Sequence, residues 1–287
     1  MAQSIKIKLD TDKYQTPTED DIKATKQYIL QRENYADILG SRIDEILADA
    51  AERIVSICYR YNVEPRRFTI SSEYNSDMMD EIAEVMDEIE DEIYDLILEY
   101  STRAVDDDDQ ISMLAAWIAL LGKGQRNLRD TLHMYLLKFL KDLEAAIAAL
   151  RYMGVGQTEA ISKVLSYLHN IYMMPEVLTA IRKRGEFAAT YIFLGGVQPG
   201  AVGISNNGST NVVNMAKTTL QMAWMRAQGM KWQKEDGVAG FYVLRGSTYD
   251  CDWCDSYVGF HPIEDLNAYP PIHPHCKCFV IPIFAKQ

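Results

Sequence analysis

Residues 251–278 read CDWCDSYVGFHPIEDLNAYPPIHPHCKC. Four of the chain's five cysteines (Cys251, Cys254, Cys276, Cys278) and three of its five histidines (His261, His273, His275) fall in this stretch. Cys251 and Cys254 form a C-x-x-C turn that aims two thiols at one point. His273, Cys276 and Cys278 offer a second ligand pair across a loop. Thiolate and imidazole donors suit zinc, which takes four of them in a tetrahedron. The spacing predicts one structural Zn2+ held by Cys251, Cys254, His273 and Cys276, with Cys278 the substitute for His273. Pro270, Pro271 and Pro274 stiffen the approach to the second pair. Trp253, Tyr257 and Phe260 are expected to give the module a small apolar filling. Two alternatives stay open: a pair of disulfides in an oxidising compartment, or free thiols. A catalytic zinc is disfavoured, because the H-x-E of zinc deaminases and the H-E-x-x-H of zinc proteases are both absent.

The cysteine loop is bracketed by GFYVLR (240–245) and FVIPIF (279–284), which read as two strands that pair. Pro282 confines the second to an edge. Upstream, apolar residues recur at helical spacing almost throughout. A helix is predicted from Thr18, capped by Asp21, to Leu39. Gly40 ends it, and Ser41 with Asp44 starts another carrying Ile43, Leu47, Ile54 and Cys58 on its apolar face. Val63–Ile70 reads as a turn. Further helices are predicted over 76–101, 111–121, 127–153, 158–174, 175–190 and 211–233, with a break at Gly122–Gly124 and a loop over 195–211. His133 and His169 stand alone on helices and read as packing or surface residues. The fold class is mainly α: a helical body with a small C-terminal β/zinc-knuckle module.

Charge divides the chain. Between Glu73 and Asp109 there are sixteen Asp or Glu and one base, Arg103, although the whole chain carries only −12. The remainder is therefore slightly basic. A solvated helix face accounts for the acidic run, and a handle for a basic partner is the functional alternative. The expected domains are an extended N-terminal arm (1–17), an acidic helical lobe (18–109) and a third domain (110–287) ending in the Cys/His module from about 240. In the arm, Ile5, Ile7 and Leu9 alternate with Lys6 and Lys8, a strand pattern able to join a sheet edge. Ile5–Leu9 is too short for a signal peptide. No 18-residue apolar run exists, so no membrane contact is expected.

The C-terminal pattern resembles the end of the Mu F-like minor head proteins of tailed phages, the head morphogenesis family. That family ends in C-x-x-C, a Pro-rich loop and HP-x-C-(R/K)-C. Here these are Cys251 to Cys254, Pro270 and Pro271, and His273-Pro274-His275-Cys276-Lys277-Cys278. Gly259 and Phe260 match the Gly and aromatic that follow the C-x-x-C. Ala216-Lys217-Thr218-Thr219, Ala223, Gly229, Gly237-Val238 and Phe241-Tyr242 follow the family's preceding helix and strand, with Lys217 for Arg and Thr219 for Glu. With the helix–Gly–helix around Gln157–Ile161, the resemblance covers roughly Leu120 to Phe284.

The resemblance implies a minor capsid protein, made in the host cytoplasm and carried in the virion at the capsid interior or portal vertex. Its partners would be the portal protein and other capsid components, with at most weak contact to packaged DNA. It would contribute to head assembly or to genome packaging and delivery, and would not be an enzyme. Two alternatives are a zinc-containing nucleic-acid-binding module and, with less support, a zinc-dependent nuclease or toxin. Asp250, Asp252, Asp255, Glu264 and Asp265 beside the cysteines oppose phosphate contact. A nuclease needs a further His and acid pair that the sequence does not place.

Overall fold

The computed structural model describes residues 8–61, 76–121, 126–184, 205–246, 250–265, 268–271, 273 and 276–286. The Val63–Ile70 turn, the Gly122–Gly124 break, His275, Pro274 and the loop up to residue 204 lie outside the described residues. Mainly helical structure with one small C-terminal antiparallel sheet is what the sequence predicts and what the chain adopts.

The capping box at Thr18 forms. Its backbone N–H donates to Asp21 Oδ2 at 2.7 Å, and the Asp21 N–H donates back to Thr18 Oγ1 at 3.2 Å. The helix it starts, α1 (Glu19–Arg60), does not stop at Gly40. Ala36, Leu39, Ile43, Leu47, Ala50 and Ile54 are all buried and form one stripe across the expected break. An interior glycine costs about 1 kcal/mol relative to alanine. Each buried Leu or Ile contributes about 1.5–3 kcal/mol, so the stripe overrides the stop signal.

Next come α2 (Ser76–Thr102), α3 (Asp108–Ala119) and α4 (Leu128–Tyr152). Asn127 caps α4 by accepting the Asp130 N–H at 2.8 Å. The α5 helix (Gln157–Ser166) is shorter than the predicted 158–174. The Leu168 carbonyl accepts the Ser209 hydroxyl at 2.9 Å, which takes it out of a helical ladder. A 3-10 turn (Ile171–Met173) leads into α6 (Pro175–Arg184). The last long helix, α7 (Gly208–Trp232), begins three residues before the predicted Asn211. Its first N–H is taken by the buried Asp142 carboxylate, Gly208 N to Oδ2 at 2.7 Å. Only glycine fits there, since a Cβ on Gly208 would lie 2.2 Å from the Phe139 backbone nitrogen.

The chain forms two compact units that interleave in sequence. One comprises Gly40–Leu96 and Leu120–Met215. Within it α1 and α2 are joined by Arg53–Glu88 at 2.6 Å and by the Tyr61 hydroxyl donating to Glu81 at 2.7 Å. Arg129 and His133 on α4 reach Asp91 and Glu90 on α2 at 2.5 and 2.7 Å. Cys58 is fully buried among apolar side chains, which pushes its thiol up to about 12. This agrees with its reading as a core residue.

The other unit comprises Met1–Leu39, Ile97–Ala119 and Ala216–Gln287. Contiguous lobes split at 109/110 were expected from charge, whereas these units each draw on separated segments. Its sheet has the order β2-β1-β3, with β1 (Val238–Leu244) antiparallel to both β2 (Gly259–Pro262) and β3 (Phe279–Phe284). Pro282 lies on the edge strand β3, where no ladder donor is needed. Successive residues alternate faces. Phe241, Val243 and Val280 face Met225 and Trp232 of α7 and the cysteines. Tyr242, Leu244, Ile281 and Ile283 face the other way, against Leu9, Tyr14 and Ile22. The described part of the N-terminal arm thus joins its own sheet: Tyr14 bridges Ala285, and the Gln15 N–H donates to the Phe284 carbonyl at 2.9 Å. Residues 1–7 lie outside the described residues.

Candidate metal centre

The two halves of the cysteine pattern come from opposite sides of β1. Cys251 precedes a short helix, α8 (Asp252–Tyr257), and is its N-cap residue; Cys254 lies one turn on. Three residues on a helix span close to one turn, so both thiols face the same way. Cys276 and Cys278 sit on the segment that leads into β3. His273 precedes them and accepts the Cys276 N–H at 3.0 Å through its carbonyl. The chain before α8 passes very close to that segment. A Cβ on Gly246 would lie 1.6 Å from the Lys277 carbonyl oxygen, so no other residue fits this crossing.

The ligand atoms form two triads that share Cys254: Cys251, Cys254 and His273, then Cys254, Cys276 and Cys278. Within each triad the ligand atoms all lie within 4.8 Å of one another. The Cys254 and Cys276 sulfurs are 3.7 Å apart. Two thiolates each about 2.3 Å from a tetrahedral zinc are about 3.8 Å apart. His273 Nε2 lies 3.3 Å from the Cys251 sulfur and 3.1 Å from that of Cys254. These are slightly inside the roughly 3.6 Å spacing of an imidazole nitrogen and a thiolate on one ion. All five cysteines are free thiols, and 3.7 Å is far beyond the roughly 2.05 Å of a disulfide. The five residues predicted from sequence therefore come together, and they can hold a metal ion.

The electrostatics fit a cation. The Cys254 N–H points at the Cys251 sulfur and, as the main cause, holds that thiol below its usual value. Burial pushes Cys254 up to about 12. Cys278 is driven up by its hydrogen bond with Cys276 and by burial. Three thiols this close resist ionising together, and a dication removes that resistance. Cys254, Cys276 and Cys278 are also walls of the core that includes Phe241, Val243, Val280, Met225 and Trp232. The ligand cluster and the apolar core are thus continuous.

Two positive side chains flank the thiols, and neither stands out in sequence. Arg245, at the end of β1, pairs with Asp255 of α8 and reaches the Cys251 carbonyl at 3.4 Å. Lys277, between two candidate ligands, donates to Glu33 of α1 at 2.9 Å. Glu33 also accepts from Arg32 at 2.8 Å and Gln221 at 3.0 Å, which ties the ligand segment to two helices. Such partners orient ligands and offset thiolate charge. His261 stands apart from the ligands. Its Nε2 lies 2.8 Å from the Tyr257 carbonyl oxygen and its Nδ1 2.9 Å from Asp265 Oδ2. The expected apolar filling is corrected in two places. Tyr257 packs on the metal side of the sheet and Phe260 on the opposite side. Trp253 is 62% exposed, because aiming Cys254 inward turns its neighbour out.

A second polar chain, unread in the sequence, runs from Ser209 through His169 to Asp44. Ser209 Oγ is 3.1 Å from His169 Nδ1, and His169 Nε2 is 3.2 Å from Asp44 Oδ1. The order mimics a hydrolase triad. Ser209 is fully buried, however, and its hydroxyl is 2.9 Å from the Leu168 carbonyl and 2.5 Å from Asn207 Oδ1. The hydroxyl is thus engaged inside the protein, and the chain acts as a brace between the start of α7 and the turn after α5. No helix among the described residues is long and apolar enough to cross a membrane. Comparison with family models, with curated proteins and with solved structures gives no match to this chain.

Proposed function

We propose that this chain is a minor head protein of a tailed phage or prophage, of Mu F-like type. On this reading it associates with the portal protein and other capsid components, is carried in the virion, and contributes to head assembly or genome packaging and delivery. It is a structural protein rather than an enzyme. The observation that supports this best is the convergence of the C-x-x-C turn with the His273-to-Cys278 segment on a small antiparallel sheet. Such a centre holds this segment in shape, which suits an assembly role.

The ion proposed is one structural zinc. Thiolates with one imidazole favour zinc over calcium or magnesium, which take oxygen ligands. Cys254, Cys276 and Cys278 are buried, while Cys251 and His273 are partly exposed; a set of four protein ligands suits a structural rather than a catalytic site. The exposed Asp250, Asp252 and Asp255 around it oppose close approach of phosphate.

The test is an assembly assay with metal analysis in parallel. The reduced protein is expected to contain about one zinc per chain. Cys254→Ser is expected to lose it and to reduce incorporation into heads, with α-helical circular dichroism retained. Asp265→Asn is expected to leave both unchanged. A Cys254→Ser protein that assembles normally overturns the reading, as does a hydrolytic activity abolished by Asp265→Asn.

A further inference from the structure

Four tryptophans are present in the chain, and one of them faces solvent. Trp224 and Trp232 are buried, and Trp117 is partly covered, with Arg226 5.7 Å over its ring. Trp253 is 62% exposed on α8. It cannot turn inward, because Cys251 and Cys254 fix which side of α8 faces the metal centre. The His273 ring lies 6.4 Å away and tilted, so the indole rests against a ligand rather than waving freely. Val258, also exposed, adds an apolar edge close by in sequence. A large aromatic held outward is available for contact with a partner, and tryptophan is the residue type most enriched where binding energy concentrates.

The neighbouring charges say what kind of contact. Asp250 and Asp252 are exposed and form no ion pair among the described residues, whereas Asp255 is engaged by Arg245. An indole face attracts cations through its quadrupole. Carboxylates beside it add Coulombic attraction and accept charge-assisted hydrogen bonds. The same carboxylates repel a nucleic-acid backbone, so base stacking on Trp253 is the less favoured use of the ring.

We infer that Trp253, Asp250 and Asp252 form a docking surface for a lysine or arginine side chain on a basic segment of a partner protein. The surface requires only that the C-terminal module be folded, so it does not depend on the capsid reading.

The test uses the full-length protein and a short peptide of alternating lysine and glycine. Isothermal titration calorimetry reports binding, so that variants lacking the indole are read on the same scale. The peptide is expected to bind, and its affinity is expected to fall with added salt. Trp253→Ala is expected to weaken binding about three- to tenfold, the range of an exposed cation–π contact. Trp253→Phe is expected to fall between, and Asp250→Asn with Asp252→Asn to weaken it comparably. Zinc content is measured for each variant. If Trp253→Ala loses metal, the double Asp variant, which alters no contact with His273, decides the matter. Asp80→Asn with Asp87→Asn on the acidic face of α2 controls for general attraction. The inference is overturned if the Trp253 and Asp250/Asp252 variants bind as the parent does, whatever the α2 control shows. It is equally overturned if an oligothymidylate displaces the peptide.

Discussion

Gly246 and Lys277 meet backbone to backbone, and that crossing sets the spacing of the metal centre. Gly246→Ala would place a Cβ 1.6 Å from a carbonyl oxygen that has no flexible end to move. The variant is expected to lose about 1–3 kcal/mol or more of stability and to bind zinc less tightly; unchanged melting and unchanged metal content would contradict this. His169 gives a second residue-level test. The Asp44 carboxylate beside it raises its pKa above the ordinary 6.5. Its stabilising contribution is therefore complete below about pH 6.5 and is lost as pH rises through the higher folded value. Both side chains are close to half exposed, so the effect is small. The drop in thermal midpoint between pH 6 and pH 8 is expected to be smaller in His169→Gln than in the parent; equal drops would remove His169 from the account. The candidate ligands were legible because a C-x-x-C turn and a closely spaced His and Cys pair advertise themselves locally. Arg245 and the Lys277–Glu33 pair were not, since Lys277 and Glu33 are 244 positions apart and meet only in the folded chain.

Helix starts were easier to read than helix stops. Thr18 and Asn127 lie at helix starts and hydrogen-bond there as local chemistry dictates. Gly40 looked like a stop but is overridden by a buried stripe, and α5 stops early because a carbonyl is claimed by a residue 41 positions away. The short strand β2 and helix α8 were hidden inside what read as a loop. Both are too short to show a period. The start of α7 depends on Asp142, which no local rule singles out. This carboxylate accepts from Gly208 at 2.7 Å, from the Tyr172 hydroxyl at 2.5 Å and from Lys138, which also donates to Tyr172 at 3.0 Å. Burial raises the pKa of Asp142 in spite of Lys138, so the pair is held at a desolvation cost. Asp142→Ala strands a buried ammonium and uncaps α7, and is expected to cost about 3–5 kcal/mol in urea unfolding. Replacing Lys138 by Met as well is expected to recover part of that. A loss under about 1 kcal/mol for the single variant would mean that water already reaches Lys138.

The acidic run suggested a molecule divided near residue 109, but the compact units follow burial rather than charge. Acidic faces lie on the solvent side of α2, and its apolar face packs regardless of their sign. The unit holding the sheet takes residues from Met1–Leu39, Ile97–Ala119 and Ala216–Gln287. A fragment of residues 110–287 lacks Tyr28, whose hydroxyl bonds the Trp224 carbonyl, and Glu33, which holds Lys277. It is expected to be poorly folded and to bind zinc weakly; a soluble fragment with a cooperative melt would contradict this. The bridge between Tyr14 and Ala285 has a further consequence, in time rather than in space. Gln15 and Ala285, which also bond there, are 270 positions apart. At roughly 5–20 residues per second on the ribosome, the N-terminal segment waits on the order of ten seconds or longer before its partner strand exists. The apolar face of Leu9, Tyr14 and Ile22 is uncovered for that interval. Nascent chains are therefore exposed to chaperone capture until β3 has been made, and a chain cut short before β3 leaves that face open for good.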